Sequence, residues 1–391
     1  MREVGKAFLQ FFVSLRLTVV LLALSILLVF FATLDQQQLG IWGIQQKWFR
    51  TFIVLHAYNG FPIPVFPGGY FLGGLLFLNL IAAHIARFKL SWKKAGIFLT
   101  HIGLLLLLVG ELLTGLLQED SHLRLDEGET KRYSESSMRS ELAIVNGSDP
   151  AFDDVVAIPQ ERLQPGKEIQ HPKLPFRVAV REFYPNAALQ MRNQVPNAPS
   201  SPATAGIGPQ VAAFPLPITY KHDERNLPAA FVELIGAQGS IGTWLVAAHL
   251  NEPQRFDYDG KSWHLSLRFE RFYTPYTVSL IKFSHDRYPG TEIPKNFSSQ
   301  VRLKSDDGRT DREALIYMNN PLRFEGLTYY QAGFENNDKT TILQVVRNPG
   351  WLLPYIACIL MTLGLTWHFI LSLANFSSRR AQKRAGTPAA A

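Results

Sequence analysis

Apolar positions are distributed along this chain in two different ways. Four stretches, 17–34, 70–86, 95–117 and 350–374, are apolar almost without interruption. Each holds roughly 17 to 25 residues, the length an α-helix needs to cross a hydrocarbon core about 30 Å thick. Between the third and the fourth the pattern changes to "SELAIVNG", "FRVAVREFY", "FVELIG", "TWLVAAHL", "SWHLSLRFE" and "TVSLIKFSHD". These short apolar or alternating runs are closed by Gly, Pro, Asn or Asp, as half-buried strands joined by turns are. The pattern predicts an integral membrane protein: four transmembrane helices, with a large β-rich, sandwich-like extracytoplasmic domain (118–349) between helices 3 and 4.

Two polar stretches break this plan. Residues 35–69 contain "WGIQQKWFRTFIVLHAYNGFPIPVFPGG", too short and too charged to span. Trp42, Trp48 and Phe49 favour the headgroup level, so an interfacial helix is expected, broken by Pro62, Pro64 and Pro67. It reads as an aromatic belt or as a surface that admits an apolar ligand. Residues 186–229 ("PNAPSSPATAGIGPQVAAFPLP" at their centre) are rich in Pro, Ala, Asn and Ser and read as a long mobile loop.

The formal charge of +7 matters less than its placement. Basic residues gather at Arg2, Lys6 and Arg16, at Arg87, Lys89, Lys93 and Lys94, and at Arg379, Arg380, Lys383 and Arg384. These clusters alternate with the spans. The positive-inside rule therefore puts 1–16, the 87–94 loop and the 375–391 tail in the cytoplasm. Residues 118–349 keep a small negative balance, which argues against nucleic-acid binding. The first apolar stretch lacks a small-x-small site before "DQQQ" and is expected to be retained as a span. No transit peptide is evident, so a bacterial inner (cytoplasmic) membrane is expected, with the large domain in the periplasm or outside.

The sole cysteine, Cys358, lies in the fourth span. The outer domain can therefore run no thiol–disulfide exchange, and a reductase role falls to a partner. C-x-x-C-H is absent, so the chain is not itself a c-type cytochrome. G-x-x-x-x-G-K-[ST], H-E-x-x-H and G-x-S-x-G are absent too, which removes the usual signals for an ATPase, a zinc protease and an α/β-hydrolase.

What the spans do contain is histidine: His84, His101 and His368. An ionisable group at membrane depth is costly and usually faces a bundle interior. His101 lies seven residues past Lys94, about 10 Å deep, and His368 about 12 Å before the polar end of its helix, so the two can share one level. His84 is closer to the interface and reads as an interfacial or packing residue. Neutral imidazole ligates haem iron well; the competing reading for His101 and His368 is a hydrogen bond to a neighbouring helix. Glu111, near the outer end of the third span, reads as snorkelling or as pairing with a partner helix. Gly96, Gly103, Gly110 and Gly115 recur near helical spacing and predict close helix packing. His122, His171, His222, His249, His264 and His285 are scattered through the outer domain, His264 and His285 on strands flanked by aromatics.

The chain resembles the ResB/CcsB family of cytochrome c biogenesis from end to end. The resemblance rests on "SLRLTVVLLALSILLVFFATLDQQ", "GGYFLGGLLFLNLIAAHIARF", "KKAGIFLTHIGLLLLLVGELLTG", "LRLDEGET" and "LPFRVAVREFYPN", and most specifically on "MNNPLRFEGLTYYQAGF" before the last span. It implies a non-catalytic or co-catalytic subunit of the system II cytochrome c synthase, a haem lyase. That subunit acts with a CcsA/ResC-type membrane protein, on apocytochrome c, in membrane lipid, beside a thioredoxin-like thiol reductant. The third-span histidine implicated in haem binding in that family matches His101, an axial ligand for haem b; His368 or a partner histidine is the expected second ligand. The tryptophan-rich motif of the partner is missing, the seven Trp being dispersed. The alternative is a scaffold that stabilises the partner and docks apocytochrome c without touching haem.

Overall fold

The computed structural model describes residues 10–385 except 59, 88–90, 150–151, 197, 220–224, 251, 292–293 and 337. Arg2, Lys6, Lys89 and His222, singled out above, lie outside the described residues. The chain divides into two compact units, one of residues 1–119 with 347–391, the other of 120–346.

The first unit is built on α1 (Leu15–Ile44), a hairpin of β1 (Ile53–Tyr58) and β2 (Phe61–Pro67), α2 (Gly69–Arg87) and α3 (Ala95–Leu117), together with the last helix of the chain, Leu353–Ala385. Among the described residues, four helical segments, Leu15–Phe49, Gly69–Ala86, Trp92–Leu117 and Leu353–Arg380, are long and apolar enough to cross a membrane. Most of their apolar surface is uncovered, Val19, Ile26, Phe30, Ile359, Leu363 and Phe369 among them. Such exposure is what a lipid surround would cover.

The first helix outruns its expected end. It passes Asp35 and the glutamines, turns at Gly40 (φ 65°) and closes in a π-turn at Gln45–Phe49. Asp35 is retained because Lys47 Nζ (2.6 Å) and Trp48 Nε1 (2.8 Å) both donate to it. The proline-rich stretch beyond is the antiparallel β1–β2 hairpin. Near the start of α1, buried Asn79 of α2 accepts from the Thr18 hydroxyl (2.6 Å) and donates to the Phe12 carbonyl (2.6 Å). Polar pairing of this kind ties helices together where apolar contact alone gives little preference.

The second unit is β-rich. In chain order it runs β3 (Glu119–Asp126), β4 (Thr130–Asn146), β5 (Asp154–Pro159), β6 (Glu168–Ile169), β7 (Arg177–Tyr184), β8 (Ala187–Met191), β9 (Val211–Pro215), β10 (Ala229–Gly236) and β11 (Gly239–Ala247). It continues with β12 (Gln254–Tyr258), β13 (Lys261–Arg287), β14 (Pro294–Ser305), β15 (Asp311–Tyr317), β16 (Leu322–Phe324), β17 (Leu327–Glu335) and β18 (Thr340–Arg347), after which the chain enters α4 (Leu353–Ala385).

Ten strands form one sheet, in the path β15-β14-β13-β4-β3-β18-β17-β16, with β5 and β12 added beside β4 and β13. Its 27-residue strand β13 serves two cores. The first half sends Trp263, Leu265 and Leu267 against the four-stranded sheet β11-β10-β7-β6, where Val178, Val180, Val232 and Trp244 meet them. The second half sends Tyr276, Val278, Leu280 and Phe283 into another core with Leu125, Val301, Leu303, Ile316, Leu343 and Val345. Side-chain alternation puts every second residue of the strand inward in each half, with Phe283 brought in past the register shift between Leu280 and Lys282. Two expected strands, "SWHLSLRFE" and "TVSLIKFSHD", are thus one. The 186–229 stretch likewise carries the β8–β9 ribbon, whose Ala187, Val211 and Ala213 are buried with Phe231 and Leu245.

Carboxylates of this unit set its response to acid. The Thr340 hydroxyl and the Arg124 guanidinium hold Asp126 below the usual carboxylate range. Ser240 and Arg181 do the same for Glu233. A carboxyl with a lowered folded pKa stabilises the fold above its unfolded value, near 4, and that contribution is lost as pH falls through the folded value. The melting temperature of this unit is therefore expected to hold from pH 7 to 5 and to drop below about pH 4. Asp126→Asn should flatten part of the drop in a pH series of melts; an unchanged slope contradicts this assignment.

Candidate functional site

Polar side chains converge in the helical unit where α2 and α3 approach across the short 87–94 connection. His84 is one turn from the end of α2, and its Nδ1 lies 2.9 Å from the Leu80 carbonyl. A carbonyl only accepts, so Nδ1 of His84 carries the proton. In the neutral ring Nε2 is then an acceptor. It lies 3.1 Å from Nδ1 of His101 on α3, with the two rings edge to face at 4.8 Å. His101 therefore donates through Nδ1 and keeps its lone pair on Nε2. The relay runs from Nδ1–H of His101 to His84 and from Nδ1–H of His84 to Leu80. It fixes both the tautomer and the ring orientation of His101, the service that a hydrogen-bonded partner gives a metal-ligating imidazole. Both rings are half-buried, and Phe98 lies 6.4 Å from His84.

The opposite side of α3 is occupied by α4. An ideal Cβ on Gly96 would stand 2.6 Å from the Gly364 carbonyl oxygen and 2.7 Å from the His368 nitrogen. On Gly103 it would stand 2.8 Å from the Ala357 oxygen, and on Gly110 3.3 Å from Leu353. Three of the four glycines noted in the sequence therefore form the seam with α4. Gly115 faces Tyr70 and Arg50 instead.

At about 100° per residue, His101 projects well away from the face that carries Gly96 and Gly103. His368 is exposed on α4 with its backbone against Gly96. The fold thus brings His101 to His84 and not to His368. Trp367 Nε1 donates to the Trp92 carbonyl (3.0 Å), which ties the middle of α4 to the turn before α3. Glu111 and Cys358 are exposed. In the β-rich unit His122 is bonded to Ser137 and Nδ1 of His171 accepts from the Lys173 amide. His264 stands beside Gly147. No group of three His, Cys, Asp or Glu side chains among the described residues is placed to hold a metal ion.

The partnership of His84 with His101 escaped the sequence reading, which gave His84 only an interfacial or packing place. The signal was present: both residues flank one tight helical hairpin, three residues before Arg87 and seven after Lys94.

Residues 239–342 match the ResB-like family, from β11 through the start of β18, which includes the distinctive 318–334 stretch. The chain is also similar to Protein NrfI of Wolinella succinogenes, at 25% identity over 308 residues, 78% of this chain. It spans 30% of the length of that relative.

Proposed function

We infer that this chain, a ResB/CcsB-type protein, serves cytochrome c biogenesis as the membrane subunit that helps hold haem and positions apocytochrome c for haem attachment. The observation that carries this reading is the His101–His84–Leu80 relay, which leaves one imidazole nitrogen of His101 unprotonated on an apolar helix. A CcsA/ResC-type membrane protein would be the partner in that work. In the proposed arrangement the four apolar helices lie in a bacterial inner membrane and the β-rich unit faces the periplasm.

The donor set fits haem b as the substrate being handled. Haem brings four nitrogens of its own, so one protein imidazole and one from the partner complete the iron, and three clustered protein ligands are not required. His101 would hold the iron through Nε2, and His84 would keep that nitrogen aimed and free of its proton. Thioether formation joins cysteine thiols of apocytochrome c to the haem vinyls. Since the β-rich unit has no cysteine, its contribution is proximity and orientation, and a thioredoxin-like reductant would keep the client thiols reduced.

The test is cytochrome assembly in cells that depend on this chain and its partner. His101→Ala is expected to lower haem-stained cytochrome c at least about tenfold, and imidazole in the medium should restore part of it. Full assembly by His101→Ala, with the variant present at normal level in the membrane, would sink the haem-ligand role and favour the scaffold reading.

A further inference from the structure

The β1–β2 hairpin carries an apolar surface left uncovered among the described residues. Its base is anchored. Buried Val54 packs with Phe66, Trp48 and Leu72 in the core that α1 and α2 share, and the Gly68 amide donates to the Phe52 carbonyl (2.9 Å). Beyond the base, the register pairs Tyr58 with Phe61 and His56 with Ile63 on one face, and Leu55 with Pro64 and Ala57 with Pro62 on the other. Both faces are open: Phe61 is 74% and Tyr58 63% exposed on the first, Leu55 51% on the second.

A two-stranded ribbon is marginally stable by itself in water, and an apolar surface of this kind marks a contact. Residues 51–69 hold no Asp, Glu, Lys or Arg, so the ribbon offers nothing to a charged partner. It is held at both ends by helices long and apolar enough to cross a membrane, Leu15–Phe49 and Gly69–Ala86, and Phe52 lies 6.0 Å from Tyr70 at the start of α2. The ribbon therefore stays beside the ends of both helices. A protein docked on one face would leave the other bare, whereas lipid closes around both. The free edges set the depth. Pro62 and Pro64 lack amide hydrogens where these would point away from β1, which takes two donors off the outer edge of β2. Leu55 and Ala57 keep theirs on the outer edge of β1, and hydrocarbon has no acceptor for them. That combination suits the boundary between acyl chains and headgroups, where lipid oxygens accept.

We propose that the β1–β2 hairpin is a membrane-inserted element, its tip around Tyr58 and Phe61 immersed at the headgroup–acyl boundary of the leaflet where α1 ends and α2 begins, with lipid as the partner of both its faces. The proposal rests on the membrane placement of the helices inferred above and is independent of the role given to His101.

The test uses the full-length chain in vesicles of phosphatidylcholine and phosphatidylglycerol, labelled with an environment-sensitive fluorophore at a single cysteine. Cys358, exposed on α4 and the sole cysteine of the chain, reports the membrane placement in the wild type. Phe61→Cys and Leu55→Cys, each combined with Cys358→Ala, report the two faces of the ribbon, and both substitutions fall on exposed side chains. The expected result at all three positions is blue-shifted emission, quenched by bromine on the lipid acyl chains and little by iodide in the water. Iodide quenching without lipid quenching at either ribbon position, beside normal lipid quenching at Cys358, overturns the proposal and leaves the membrane placement standing. Protection of either ribbon position from both quenchers means that protein covers it, in this preparation a second copy of the chain, and overturns the proposal too. Absence of lipid quenching at Cys358 overturns the membrane placement and the proposal together.

Discussion

Gly96→Leu is expected to force α3 and α4 apart and so to destabilise the helical unit. The Cβ alone would meet backbone on α4, the Gly364 oxygen at 2.6 Å and the His368 nitrogen at 2.7 Å, and Gly364 is met as closely in return by the Gly96 oxygen. Backbone cannot rotate aside as a flexible side-chain end does. Overpacking usually costs about 1–3 kcal/mol, and the remaining atoms of leucine would add to it. Gly73 and Gly74 on α2 have nothing within 4 Å of an added Cβ, so alanine there should be neutral or mildly stabilising. Comparing detergent-solubilised midpoints of thermal aggregation for Gly96→Leu, Gly73→Ala and wild type checks this. Equal midpoints for all three would contradict the α3–α4 seam.

The second large effect is expected in the β-rich unit, at Trp263. It is 2% exposed, lies edge to face with Phe176 at 5.2 Å, and donates from Nε1 to the Tyr258 carbonyl at 3.3 Å. Trp263→Ala removes the large side chain that joins the first half of β13 to the four-stranded sheet, and such truncations cost about 3–5 kcal/mol. Trp92 is 82% exposed, and Trp92→Ala should leave the same transition almost unmoved. Denaturant unfolding followed by tryptophan fluorescence gives both values; a shift below about 1 kcal/mol for Trp263→Ala would mean that this core does not hold the unit together.

Much of this architecture could be read from the residues. Unbroken apolar runs of helical length fixed four segments, and the alternation in "FRVAVREFY" and "FVELIG" marked β7 and β10. What escaped the reading depends on long-range partners. Polar Gln36, Gln37 and Gln38 looked like the end of the first helix, but Lys47 and Trp48 capture Asp35 and let the helix run on. Pro62, Pro64 and Pro67 looked like breakers of a surface helix, but proline is tolerated along the outer side of a two-stranded ribbon, where no donor is required. In 186–229 the small residues Ala187, Ala212 and Ala213 gave no strand signal, yet they are buried where β8 and β9 pack beside β10 and β11.

The candidate site was half legible. His101 stood out as an ionisable group in an apolar run. Its partner did not, because the 17-residue separation between His84 and His101 has meaning only once the hairpin brings the two helices side by side. The structure also separates His101 from His368 by face, which depth along the helices could not reveal. Depth is one coordinate of a helix; the direction in which a side chain leaves it is another.

The most direct test of the central claim is the absorption spectrum of the chain purified with a CcsA/ResC-type partner, compared for wild type, His101→Ala and His84→Ala. The account predicts a Soret band in the wild-type complex, its loss in His101→Ala, and a weakened or shifted band in His84→Ala, where Nε2 of His101 is no longer held. An undiminished and unshifted band in His101→Ala would contradict it.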